Sequence, residues 1–231
     1  KKHDAKLWES YNNLFNHESV GFFDAKYFFP EVKEGFDVVI GNPPWVSLIG
    51  KHGIEDNINS KDLYLRLYEA NTYMPNLYEF FLQRGLSLII KSGHLCYIIP
   101  DRFGFNESFI SLRRKVLSEN SILQIIYRWK FESVIADTMT LLARRGFNPN
   151  NQILISYRPE DEPLQTEQQI ILSTSDVALR AYRNSEIKKL LEKIQMASSP
   201  LRIIAKSTSG FGGKSAKITT TRTNKQQIPV I

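Results

Sequence analysis

The stretch Gly35-Phe36-Asp37-Val38-Val39-Ile40-Gly41-Asn42-Pro43-Pro44-Trp45 decides how this chain reads. Phe36–Ile40 is a short apolar run rich in β-branched residues, and it stops at Gly41 and two prolines. That pattern predicts a buried strand ended by a rigid turn. In open α/β sheets, ligands bind beyond the carboxyl ends of the strands. Asn42, Pro43, Pro44 and Trp45 fall at that place. The plain alternative is a Pro-Pro turn with Trp45 simply packing, but the Asp-Val-Val-Ile-Gly lead-in favours function.

These residue types suit one chemistry. An exocyclic amine such as that of adenine is a poor nucleophile, because its lone pair is delocalised into the ring. Two acceptors for its N–H groups draw the nitrogen toward tetrahedral geometry and free the lone pair for an electrophilic methyl. The Asn42 side-chain oxygen and the Pro43 carbonyl are two such acceptors. The prolines hold the carbonyl in place, which is electrostatic preorganisation. Trp45 offers a flat face for a stacked base, worth roughly 1–3 kcal/mol. That offsets part of the cost of extruding a base from a duplex.

Working outward, the pattern predicts helices over 3–15, 62–70, 76–91, 106–117 and 185–196. Asn76 is the expected N-cap of the third, with Glu79 three residues on. Leu77, Phe80, Phe81 and Leu88 form its apolar stripe, and Gly93 suits its exit. Further strands are expected at 95–99, 122–127, 138–143, 152–157 and 169–172, with a polar loop over 159–168. Strands alternating with helices indicate an α/β fold with a largely parallel sheet. Residues 1–158 read as one domain and 159–231 as a linker, a helix and the start of a second region.

Composition narrows the class. The chain is 42% hydrophobic and 12% aromatic over 231 residues, enough to bury a core. A lone cysteine, Cys96, excludes an internal disulfide framework and suggests a reducing, cytoplasmic compartment. The four histidines lack metal-ligand spacing, no apolar run reaches membrane-spanning length, and there is no signal peptide. Lys1 at the start and a strand-like Ile228–Ile231 at the end read as cuts from a longer chain. The net charge of +6 equals the six cations of 201–231, a stretch without acids. Lys206, Lys214, Lys217, Arg222 and Lys225 there suggest a polyanion partner, against the plain reading of a solvated tail.

Phe36–Trp45 resembles motif IV of the amino-methyltransferases. The wider pattern is similar to the adenine-specific DNA methyltransferases of restriction–modification systems, including those that fuse methyltransferase and nuclease in one chain. Phe28-Phe29-Pro30-Glu31-Val32 resembles the segment before motif IV. Asn76–Phe81 resembles motif V, Ser92–Pro100 motif VI, and Phe131–Arg144 motif VIII. The family often has two glycines where this chain has Ser92-Gly93. The resemblance covers about residues 22–145.

The resemblance implies the catalytic half of a Rossmann-like, S-adenosylmethionine-dependent methyltransferase sheet, followed by the start of a target-recognition region. By it, Asn42 and Pro43 hold the target amine and border the cofactor. Trp45 stacks on the flipped base, Phe131 covers its other face, and Phe81 approaches the cofactor's adenine. Phe81 and Phe131 also read as core aromatics. Double-stranded DNA is the implied partner, bound in part by the basic tract.

No strand followed by Gly-x-Gly, the family's methionine-binding loop, is found. Gly210-Phe211-Gly212-Gly213-Lys214-Ser215 follows no clear strand, and Thr208 stands where a phosphate loop needs glycine. The cofactor pocket is therefore expected to be incomplete, with the remainder of the parent polypeptide supplying it. Val38–Ile40 would then form an exposed apolar edge open to self-association. Asn-Pro-Pro-aromatic also serves methylation of cytosine N4, of RNA bases and of protein glutamine. The insertion at 46–75, the tract after motif VIII and the basic tail favour DNA adenine. A non-catalytic specificity module is the other reading, and the intact motif IV argues against it.

Overall fold

The computed structural model describes residues 5, 29–48, 64–68, 75–131, 137–182, 185–199 and 201–205. The helix expected over 3–15 lies outside these residues except for Ala5, as do Lys206, Lys214, Lys217, Arg222 and Lys225. Of the helix expected over 62–70, residues 64–67 are described and helical.

Two compact units divide the chain, Lys1–Ala181 and Tyr182–Ile231. The first runs past position 158, because residues 164–181 pack back onto its sheet. Its strands are β1 (Phe36–Gly41), β2 (Ile89–Pro100), β3 (Asn120–Tyr127), β4 (Thr138–Arg145), β5 (Gln152–Ser156) and β6 (Leu164–Glu167). Helix α1 (Leu77–Leu88) precedes β2, α2 (Ile110–Glu119) precedes β3, and α3 (Gln168–Ser173) follows β6.

The α/β class is as expected, but the sheet is mixed rather than largely parallel. Its order is β1-β2-β4-β3-β5-β6. The β1–β2 and β3–β5 pairs are parallel, whereas β4 is antiparallel to both β2 and β3, and β6 to β5. A parallel return needs a crossover of about a dozen residues or more. Residues 128–137 are too few, so β4 turns straight back and slots between its predecessors. The insertion leaves β1, β2, β3 and β5 running the same way, with their carboxyl ends on one edge.

In β2 and β4, Leu95, Tyr97 and Ile99, and Met139, Leu141 and Ala143, are buried, while the residues between them are half-buried. This period of two marks one face covered by helices. The covering helices contribute Tyr78, Leu82 and Leu86 from α1, and Leu112, Val116 and Leu117 from α2. Strand β1 is not buried as its composition suggested. It is the sheet's edge, with Val38 59% and Ile40 78% exposed, in keeping with the expected apolar edge.

Three local expectations are corrected. Helix α1 ends at Leu88, and Gly93 lies inside β2 instead of at a helix exit. A Cβ on Gly93 would stand 3.0 Å from the carbonyls of Asp37 and Ile90, so the close backbone approach leaves little room for a side chain there. Ser92 beside it takes φ +69°, a conformation that favours glycine. Residues 168–173 are helical, not a strand, and the expected loop before them contains β6. Gln168 is the reason, since its buried amide bonds four groups. It donates to Leu117 O at 2.6 Å and Asn120 O at 2.7 Å, and accepts from Ile122 N and Asn151 Nδ2 at 2.9 Å each. Gln168 and Ile171 therefore face inward at helical spacing.

Arg113, on α2, is fully buried. Its Nη1 donates to Phe103 O at 2.7 Å and Asn106 O at 2.8 Å, its Nη2 to Asp176 O at 2.7 Å, and its Nε to Val177 O at 3.0 Å. The guanidinium pins residues 174–181 across the loop after β2. Val177 there holds φ +47°.

In the second unit, α4 (Ser185–Ala197) and α5 (Leu201–Ile204) are helical, and α4 matches the expected 185–196. Its apolar positions Ile187, Leu190, Leu191 and Ile194 are exposed.

Arg113→Met should destabilise the fold by about 3–5 kcal/mol, because it removes a donor from four carbonyls, of which those of Phe103 and Val177 are buried. Urea unfolding monitored by circular dichroism measures this. A loss below about 1 kcal/mol would contradict the pinning role.

Candidate functional site

The carboxyl edge of the sheet collects the residues singled out by the sequence. Asn42 follows Gly41 at the end of β1 and is exposed, as is Pro44, while Pro43 is buried and Trp45 half-buried. Trp45 packs against the core, and its Nε1–H donates to Ile98 O across 3.4 Å, a long and weak bond.

The chain then meets α1. Ser47 and Asn76 form an antiparallel bridge, Leu77 N donates to Val46 O at 2.9 Å, and Leu48 N donates to Pro75 O at 2.9 Å. Two segments some thirty residues apart in sequence are thereby stitched together, and the start of α1 is brought beside the Asn42–Trp45 turn. The backbone N–H of Asn76 donates to the Glu79 carboxylate at 2.8 Å, which fixes the first turn of α1. Of the expected stripe of Leu77, Phe80, Phe81 and Leu88, Phe80 alone is buried. Tyr78, Leu82, Gly85 and Leu86 face the sheet, and a Cβ on Gly85 would come within 2.6 Å of Leu95 and Tyr97. Phe80 is buried against Tyr64, with ring centroids 5.0 Å apart. Phe81 points away from that packing and is 45% exposed.

The Tyr78 hydroxyl at this end of α1 is buried without a hydrogen-bond partner, while the Asn76 side chain faces the Glu79 backbone N–H in a capping box. Burial, and then the charge of Glu79, pushes the Tyr78 phenol far above its ordinary range.

Phe131 emerges beyond β3 and is 42% exposed. Strands β2 and β4 lie between β3 and β1, so its strand stands three positions away, about 14 Å. Asp101, Arg102, Phe105, Arg128 and Asp137 share this edge. Asp101 N donates to Asp137 O at 3.1 Å. Burial and the nearby Asp137 raise the Asp101 carboxyl above its usual value, and Arg128 and Arg102 oppose the shift.

Arg113 and Phe105 were missed in the sequence. Arg113 carried a signal, because it falls at four-residue spacing between the buried Phe109 and Leu117. Phe105 carried none, because its packing depends on a ring from another strand.

Residues 1–134 match the model of the Eco57I restriction-modification methylase family. The chain belongs to that family. It is 29% identical over 122 residues to the type II restriction enzyme and methyltransferase Eco57I of Escherichia coli, covering 53% of this chain and 12% of that protein. It is 28% identical over 105 residues to the type II methyltransferase TthHB8I of Thermus thermophilus, covering 45% of this chain and 24% of that protein. The chain thus spans less than a quarter of either relative. The crystal structure of the type IIG restriction endonuclease BpuSI is similar at 19% identity and a TM-score of 0.49, over 75% of this chain and 24% of that one. Among the described residues, no helix is long and apolar enough to cross a membrane, and no cluster of metal-binding side chains is present.

Glu79→Ala should free the Asn76 N–H and fray the start of α1, at a cost of about 0.5–2 kcal/mol. Amide hydrogen exchange should quicken at residues 76–80 while β2 and β4 stay protected. Unchanged exchange at 76–80 would show that the turn is held by the 46–48 bridge alone.

Proposed function

We propose that this chain is the target-base half of a DNA methyltransferase that methylates adenine N6 in duplex DNA by base flipping, within a restriction–modification system. The observation that carries the reading is the Asn42-Pro43-Pro44-Trp45 turn. It stands at the carboxyl end of β1, with Pro43 buried and Asn42 exposed. Family membership supports methylation within restriction–modification.

In this reading the Asn42 side-chain oxygen and the Pro43 carbonyl accept the two N–H groups of the extruded adenine. Burial of Pro43 keeps its carbonyl from reorienting, so acceptor geometry is prepaid. Trp45 stacks on one face of the base and Phe131 approaches the other. S-adenosylmethionine, when bound, supplies the electrophilic methyl group that the amine nitrogen attacks. After transfer, the amine sheds one proton to water, so no strong base is needed.

The residues present fit the adenosine part of that cofactor. Phe81 offers an exposed ring on the first turns of α1. The remaining wall would come from the parent polypeptide, packed along the exposed β1 edge. The second unit would begin the target-recognition region, where Lys206, Lys214, Lys217, Arg222 and Lys225 would contact phosphates. The cytoplasm is the compartment this activity requires.

The test is to express the full-length protein in a host without DNA methylation and to map modified bases by single-molecule sequencing. N6-methyladenine at one recognition sequence is expected. N4-methylcytosine or an unmodified genome would overturn the substrate assignment. Asn42→Ala in the same protein should lower turnover on the order of 100- to 1000-fold, with DNA binding largely retained. Near-normal turnover would remove Asn42 from the site.

Trp45→Ala should weaken base flipping, read as a lower 2-aminopurine signal at the target position. Trp45→Phe and Trp45→Tyr should keep it, since the weak Nε1–H bond to Ile98 O is dispensable. An undiminished signal in Trp45→Ala would rule out stacking.

A further inference from the structure

Three aromatic rings form a column at the carboxyl edge of the sheet. Tyr157 stacks on Tyr127 with centroids 5.8 Å apart and planes 12° apart. Phe105 continues the stack on Tyr127 at 5.0 Å and 25°. The column is anchored from behind. The Tyr127 hydroxyl donates to Leu179 O at 2.7 Å and the Tyr157 hydroxyl to Ala181 O at 2.8 Å. Arg113 brackets the outer ring, because it binds the carbonyls of both Phe103 and Asn106.

The inner ring, Tyr127, is buried, yet Phe105 at the head of the column is 41% exposed. Two exposed cations stand on the same edge. Arg102 lies three residues before it, and Arg128 directly follows Tyr127, and both act on the neighbouring Asp101. Arg128 holds φ +60°, pinned by its N–H to Thr138 O at 2.6 Å, so its place on the edge is fixed. A rigid, backed ring on an edge that carries two cations suits stacking of a base beside phosphate contacts.

We infer that Phe105 is a second nucleobase-stacking platform. It takes the base next to the extruded target, with Arg102 and Arg128 on the adjoining phosphates. When one base leaves a duplex, its neighbour loses a stacking partner. Phe105 replaces that partner without an ordering cost, because its orientation is set by Tyr127 and Arg113. The inference rests on the DNA reading above but does not use Asn42 or Trp45.

The test needs no recognition sequence. The full-length protein is titrated into a duplex with one abasic site and 2-aminopurine as its neighbour. The parent should quench the 2-aminopurine. Phe105→Leu, which keeps apolar bulk over Tyr127, should lose the quench and weaken binding on the order of tenfold, whereas Phe105→Trp should restore both. The double substitution Arg102→Gln, Arg128→Gln should lower the salt slope of binding by about two. Thermal melting confirms that each variant is folded. Quenching and affinity in folded Phe105→Leu equal to the parent would overturn the proposal, as would a parent that gives no quench. If the methylation map is empty while Phe105→Leu still loses the quench, only the methylation reading falls.

Discussion

A guanidinium with four backbone carbonyls around it organises this molecule. Arg113 carries a charge into the interior, where an unpaired ion would cost several kcal/mol. Burial lowers its basicity, and the nearby Asp176 opposes that shift. Its planar fork offers five donors, and the loop after β2 and the 174–181 segment present four acceptors to it. The loop after β2 has only two short 3-10 turns, with Asn106 O also accepting from Phe109 N at 3.2 Å, and residues 174–181 have neither helix nor strand. Each is therefore held by the same side chain, and through it by the other. Leu179 N donates to Gly104 O at 3.0 Å, closing the tie from the opposite side. The edge that bears Asp101, Arg102 and Phe105 is rigid because a charge had to be satisfied.

The second constraint is topological. Because β4 turns back between β2 and β3, the carboxyl ends of β1, β2 and β3 share an edge with the start of β4. Asn42, Pro100, Tyr127 and Thr138 are thus brought to one rim from four separate parts of the chain. A parallel connection at that step would have sent the following loop to a different place. The site is the place where strand direction makes these loops coincide, and the prolines at 43 and 44 stop β1 there.

Legibility followed the range of the interactions. The apolar runs of β2, β3 and β4 announce themselves, because burial acts on each residue by its own chemistry, and β1 is legible from its β-branched residues alone. The turn at Asn42–Trp45 was legible for the same reason, since proline dictates its own backbone. Elements settled by a distant partner were not legible. Residues 168–173 look like a strand by composition, but Gln168 reaches Leu117, Asn120, Ile122 and Asn151 only from a helix. Gly93 looks like a helix stop, but the carbonyl of Asp37 on another strand crowds the place of a Cβ. Phe81 looked like part of α1's apolar stripe, yet the sheet takes Tyr78 and Leu82 and leaves Phe81 out.

That last case bears on how function is built into the fold. A helix 12 residues long with one buried face must turn some apolar residue outward when its sequence reads Leu-Tyr-Glu-Phe-Phe-Leu. Packing against Tyr64 selects Phe80 for the interior, and the neighbouring ring is left at the helix start. The exposed Ile40 of β1 and the exposed Phe105 arise differently, one from an unpaired edge and one from a backed column. All three are apolar groups that the core had no room for, and all three stand at or near the rim that bears Asn42. Exposed apolar area costs about 25 cal/mol per Å² against burial. A rim that keeps several such groups is stable only because the interior behind it is tightly tied. The buried polar hubs at Arg113 and Gln168 supply that tie, and the apolar rim is left for whatever binds there.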